Sequence, residues 1–61
     1  MVELSKKILT QVSFDAHLFQ KELIKAITWI QNAEELNSLK RWCFSQFGRK
    51  FPKEIKYAFA Y

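Results

Sequence analysis

From residue 13 to residue 32 the chain reads SFDAHLFQKELIKAITWIQN, and the spacing of its apolar residues leaves little choice in what it folds into. At 100° per residue, Phe19, Leu23, Ala26 and Ile30 fall within one narrow arc, with Ala16 and Ile27 beside them. His17, Lys21, Thr28 and Gln31 fall on the far side, and Ile24 points towards that polar face. Asp15 stands where an N-cap belongs, able to accept from the free N–H groups of the first turn. Phe14 and Phe19 occupy the N′ and N4 positions of a hydrophobic staple. The pattern predicts an amphipathic helix over residues 16–31 that presses one face into a core.

The segments that follow are punctuated in the same way. Asn32-Ala33-Glu34-Glu35 places a capping residue three before a glutamate, a capping-box pattern. The two glutamates also sit in a first turn, where the helix dipole favours negative charge. A helix is expected over residues 33–47, with Leu36, Leu39, Cys43 and Phe47 on one face and Trp42 and Phe44 flanking it. Lys40 borders that face, its methylenes lying along it and its ammonium reaching water. Gly48 then reads as a left-handed C′ residue. Pro52 suits the first position of a last helix, residues 52–60, with Ile55, Ala58 and Phe59 inward. Nine residues are too few to hold a helix alone, so this one requires docking. Connections this short favour antiparallel pairing of helices 16–31 and 33–47, with the two ends of the chain closing over them.

Residues 2–12 admit two readings. As a helix, Leu4, Ile8 and Val12 recur every four residues with Leu9 to one side; as a strand, Ile8, Thr10, Val12 and Phe14 alternate with Lys7, Gln11 and Ser13. No second strand pattern follows, and a lone strand needs a partner for its backbone groups. A strand over residues 7–14 would therefore imply a homodimer. In that form the order of a basic alternating ILTQVSF segment, an Asp-capped helix and a second helix resembles the ribbon-helix-helix DNA-binding proteins. The resemblance implies two strands paired across a dimer, with Lys7, Leu9, Gln11 and Ser13 towards the DNA major groove and Ile8, Thr10 and Val12 towards the core.

Sixty-one residues make a single small domain, residues 1–61, which buries only about 60% of the surface its unfolded form exposes. Such domains usually need a staple. One cysteine excludes an internal disulfide, and one His with one Cys cannot make a structural zinc site, so neither cofactor nor metal is expected. Packing has to suffice, and two Trp, two Tyr and six Phe supply the bulk for it. The expected architecture is mainly α, a bundle of three to four short helices. The longest wholly apolar run is YAFAY at the end, so no membrane span is expected. A free thiol without an export signal makes the cytoplasm the expected location.

Chemistry-bearing residues are sparse. Cys43 and His17 are the one pair that could support nucleophilic catalysis, but Cys43 falls at the centre of an apolar face and His17 on a polar one. The carboxylates have roles in caps and surface pairs, such as Glu22 with Lys25 three residues on. There is no Gly-rich phosphate loop and no metal-ligand spacing, and no enzyme activity is expected.

Charge is a better guide. Residues 1–35 carry Lys6, Lys7, Lys21 and Lys25 against Glu3, Asp15, Glu22, Glu34 and Glu35, a net of −1. Residues 36–61 carry Lys40, Arg41, Arg49, Lys50, Lys53 and Lys56 against Glu54 alone, a net of +5. A basic half of this kind suits an acidic partner or a polyanion. The two Trp residues lie off the centres of their helix faces. Either the N-terminal segment covers them, or they anchor an interaction site, as Trp, Tyr and Arg commonly do. The sequence thus points to a non-enzymatic interaction module that binds another protein. Its candidate surface comprises Trp29, Lys40, Arg41, Trp42, Arg49, Lys50, Lys53, Lys56, Tyr57 and Tyr61. The alternative is a nucleic-acid binder, either the strand-paired dimer or a chain that holds phosphates through residues 49–57, with Tyr57 or Tyr61 stacking on an unpaired base.

Overall fold

A computed structural model describes residues 2–60, and these form four helices: α1 Val2–Gln11, α2 Ala16–Trp29, α3 Ala33–Phe47 and α4 Pro52–Ala60. No strand occurs among the described residues, so residues 2–11 take the helical reading. A strand there would have no neighbour to satisfy its backbone, whereas a helix satisfies its own. Glu3 and Lys6 pair one turn apart at 3.6 Å. The Thr10 hydroxyl, on a residue that disfavours helix interiors, donates to the Lys6 carbonyl at 2.8 Å. The paired strands of a ribbon-helix-helix dimer do not form, and the inference of a homodimer that rested on them falls away.

The inward face of α1 is also rotated from the expected stripe. Leu9 and Ser5 are buried, Ile8 is half-buried, and Leu4 is exposed. Val2, Ser5, Leu9 and Val12 form the face that meets the core, which leaves the Leu4–Ile8 edge on a shoulder.

Capping follows the sequence closely in α2 and α3. Asp15 Oδ1 accepts from the N–H groups of His17 and Leu18 at 2.9 and 3.1 Å. Asn32 Oδ1 accepts from Glu34 and Glu35 at 2.8 and 3.1 Å. Four N-terminal N–H groups per helix need partners, and each cap supplies two. The staple does not form: Phe14 is 75% exposed while Phe19 is buried among other rings. Ile24, expected towards the polar face, packs on the core instead.

Helix α2 stops two residues earlier than predicted. Ile30 leaves the helical region (φ −82°, ψ 118°) and Asn32 is extended as an N-cap must be (φ −93°, ψ 123°). With two of its three residues extended, this connection turns a corner rather than reversing the chain. In place of the expected pairing, helices α2 and α3 accordingly share no broad face and meet through the Phe19 and Phe47 rings. Helix α2 packs on α4 and α1, α3 packs on α4 and α1, and the order around the bundle is α1, α2, α4, α3. The last helix is a structural centre and not a lid.

Aromatic rings bind this arrangement together. Phe19 of α2 lies 4.9 Å from Phe47 at the end of α3 and 4.6 Å from Phe51 just before α4 (centroid distances). Trp42 joins edge-on to Phe47 at 5.5 Å. Such pairs add roughly 0.5–1.5 kcal/mol each beyond the burial itself. Leu9, Leu23, Ile30, Leu39, Cys43, Ile55 and Ala58 complete the buried set. Gly48, expected in the left-handed region, is right-handed (φ −60°, ψ −28°) and donates to the Phe44 carbonyl at 3.1 Å. The requirement for glycine is steric: a Cβ there would run into the Phe44 carbonyl oxygen.

Two substitutions test this packing. Ile55→Ala removes a fully buried side chain from the central helix and is expected to cost about 2–5 kcal/mol. A domain of this size holds only about 3–9 kcal/mol in total, so the loss is a large fraction of it and urea denaturation should show a much lower midpoint. Gly48→Ala should destabilise by about 1–3 kcal/mol through the forced displacement of Phe44. A gain in stability, as expected of Gly→Ala at an unhindered helical site, would contradict the steric account.

Candidate interaction surface

The structure separates the predicted surface residues into groups that do not share a site. Trp29, the last residue of α2, is 70% exposed and stands at the rim of a groove between α1 and α2. The groove holds about 330 Å³ and is lined by Leu4, Ser5 and Ile8 from α1 and by Glu22, Lys25, Ala26 and Trp29 from α2. Its floor and edges are mainly hydrocarbon, and Leu4 is 58% exposed beside it. The Glu22 and Lys25 side chains pair with each other at 3.5 Å and so present little unbalanced charge to it.

Trp42 has a different role. It is half-buried, edge-on to Phe47, with Lys6 Nζ of α1 5.8 Å from its ring centroid. The N-terminal segment therefore covers one Trp and leaves the other bare. Leu4 and Ile8, absent from the sequence-based list, are the groove residues that pattern reasoning missed. Once residues 2–11 are read as a helix, their apolar positions spread over an arc wider than one neighbour can cover. That width was the available signal.

The basic residues divide again. Lys40 and Arg41 lie on α3, Lys53 and Lys56 on α4, all exposed. Arg49 and Lys50 occupy the connection between those helices. Lys40 Nζ lies 6.0 Å from the Phe59 ring, following the expected course along the apolar edge, and Lys50 Nζ lies 5.3 Å from Phe51. The ion pairs among the described residues are Glu3–Lys6 and Glu22–Lys25. All six cations of α3, α4 and their connection thus lack a carboxylate partner among the described residues. Tyr57 is exposed on α4, and Tyr61 lies outside the described residues.

Cys43 is fully buried, and burial pushes its thiol up to about 12 from an ordinary 9.0. The thiol therefore stays protonated at neutral pH and is a poor nucleophile there. His17 is exposed at the start of α2, its backbone N–H engaged by Asp15. Among the described residues no group of three or more His, Cys, Asp or Glu side chains is placed to hold a metal ion. No helix of the described residues is long and apolar enough to cross a membrane. Comparison of the chain with protein families, with curated proteins and with solved structures gives no significant match.

Cys43 generates a prediction with a definite sign. Its folded pKa lies above its unfolded value, so between about pH 9 and 12 the unfolded chain gives up a proton that the folded chain keeps. Stability from this group is complete below pH 9 and is lost as pH rises towards 12. Cys43→Ala should lower stability at neutral pH while flattening that alkaline decline in urea titrations. Alkylation of wild-type Cys43 should proceed at the rate of opening, and a rate matching that of a free thiol would contradict burial.

Proposed function

We propose that this protein is a non-enzymatic interaction module that accepts one amphipathic helix of a partner protein in the groove between α1 and α2, with Trp29 as its anchor. The observation that carries the reading is the exposure of Trp29 and Leu4 together at the edges of one apolar groove. An indole left in water beside other hydrocarbon is costly, and covering it supplies a concentrated gain in binding energy.

The shape of the groove favours a helix over a small molecule. Two helices form its walls, with Leu4 and Ile8 one turn apart on one side and Glu22, Ala26 and Trp29 at helical spacing on the other. A third rod can lay residues at i, i+3, i+4 and i+7 along such a trough. A volume of about 330 Å³ is at the low end for small-ligand pockets. Its charged side chains, Glu22 and Lys25, engage one another, which leaves the Ser5 hydroxyl and the Trp29 indole N–H as the other polar side-chain groups lining it, fewer than usually orient a small ligand.

The test is selection of single amphipathic helices from a displayed library against the whole folded protein, a procedure that favours no face in advance. In a Trp42→Phe background Trp29 becomes the sole indole, and selected helices should shift its emission to the blue on binding. Trp29→Ala should weaken them by about 2 kcal/mol or more, roughly thirtyfold. Stability should change by no more than about 0.5 kcal/mol, because Trp29 contributes little to the core. Leu4→Asp should weaken binding in parallel. Helices that bind with affinity unchanged by both substitutions would show that the groove is not the docking surface.

A further inference from the structure

We infer that the face shared by α3 and α4 is a second, independent site, one that takes single-stranded nucleic acid. Two depressions meet there. One, about 210 Å³, is lined by Lys40, Phe44, Lys56, Phe59 and Ala60. The other, about 570 Å³, is lined by Asn37, Lys40, Arg41 and Phe44. Lys40 and Phe44 line both, so the two depressions adjoin on one stretch of surface. It carries three cations, Lys40, Arg41 and Lys56, and two rings, Phe44 and Phe59. Among the described residues, a carboxylate along α3, Glu34, lines a further depression together with Asn37 and Arg41.

Three observations select this ligand class. None of the three cations has a carboxylate partner among the described residues, so each can neutralise a phosphate without first giving up an ion pair. Rings and cations adjoin: Lys40 Nζ sits 6.0 Å from the half-buried Phe59, and Phe44 is 36% exposed beside Lys40 and Arg41. Phosphates beside bases match cations beside rings, and an unpaired base offers a face on which Phe44 can stack. A duplex keeps its bases stacked on one another, and an acidic peptide would engage the cations while leaving the rings unused. The smaller depression is also well below the size of a drug-sized pocket, which suits a single planar base. Of residues 49–57 this face takes only Lys56, whereas Lys50 lies over the buried Phe51.

The experiment is fluorescence anisotropy of labelled, short, mixed-sequence single-stranded DNA and RNA with the full chain. A duplex of the same length and a polyglutamate peptide of similar charge serve as competitors. Three phosphate contacts predict a slope of log K against log[salt] of about −2, a loss of about twentyfold between 50 and 200 mM salt. Lys56→Gln should make the slope shallower by about 0.7. Phe44→Ala should weaken binding by about tenfold while leaving the slope unchanged. Both residues are exposed, and circular dichroism checks that each variant keeps its helices. Comparison of the DNA and RNA arms shows whether a 2′-hydroxyl contributes. The proposal is overturned by absence of binding at low salt or by indifference to Phe44→Ala. Equal competition by the duplex would make the face a general phosphate surface, and equal competition by polyglutamate would make it an acidic-protein surface; either result overturns it as well.

Discussion

The structure depends on the docking of α4 against α2. A nine-residue helix does not persist by itself in water, because nucleation costs more than so few hydrogen bonds return. It persists here because Phe51, Ile55 and Ala58 are buried against the rest of the core, and because Phe51 is seated 4.6 Å from Phe19. The dependence runs both ways. Phe19 and Leu23 are fully buried on α2, and α4 is a principal neighbour of that helix. In a chain of this length with a single cysteine, packing of this kind is what ties the four helices into one arrangement.

Local rules explain the elements better than they explain the assembly. Asp15, Asn32 and Pro52 begin their helices where the sequence placed those starts, since a cap or a proline acts through its nearest neighbours. The faces of α2 and α3 were similarly legible, because periodicity at 3.6 residues is a property of each helix alone. The pairing was not. Short connections usually bring consecutive helices together, but Ile30 and Asn32 are extended and turn the chain aside. Asn32 announced a helix start, but neither it nor Ile30 indicated which way the chain would leave α2. Gly48 offers a similar lesson. Glycine after a helix commonly marks a left-handed cap, and only the position of the Phe44 carbonyl reveals that crowding is the constraint.

Of the candidate surface, the sequence identified the chemical types and misjudged their grouping. Charge asymmetry between the two halves was visible by counting, and Lys40, Arg41 and Lys56 line two adjoining depressions. The separation of Trp29 from those cations was not to be had from the sequence, since it depends on how α1 and α4 pack on α2. Helix α1 decides the fate of both indoles. Its Lys6 edge covers Trp42, and its Leu4–Ile8 edge forms the wall opposite Trp29. A ten-residue segment that admitted two secondary structures thus determines which aromatic is packed and which is presented.

Exposure by itself cannot identify a site in a protein this small. A short chain lacks the volume to enclose all its apolar residues, and single exposed ones are ordinary. Phe14 makes the point: at 75% it is as bare as Trp29, yet it lines none of the depressions described above. Its exposure follows from the staple not forming, because Phe19, its intended partner, is already engaged by Phe47 and Phe51. Trp29 differs in having Leu4, Ile8 and Ala26 around it, so that one incoming side chain could remove several hydrocarbon surfaces from water together. Phe44 differs in standing beside Lys40 and Arg41, where stacking and charge can act on the same ligand. The distinction lies in cooperation among neighbours: burial gains at one residue are small, and a surface becomes a site when one partner collects several of them at once.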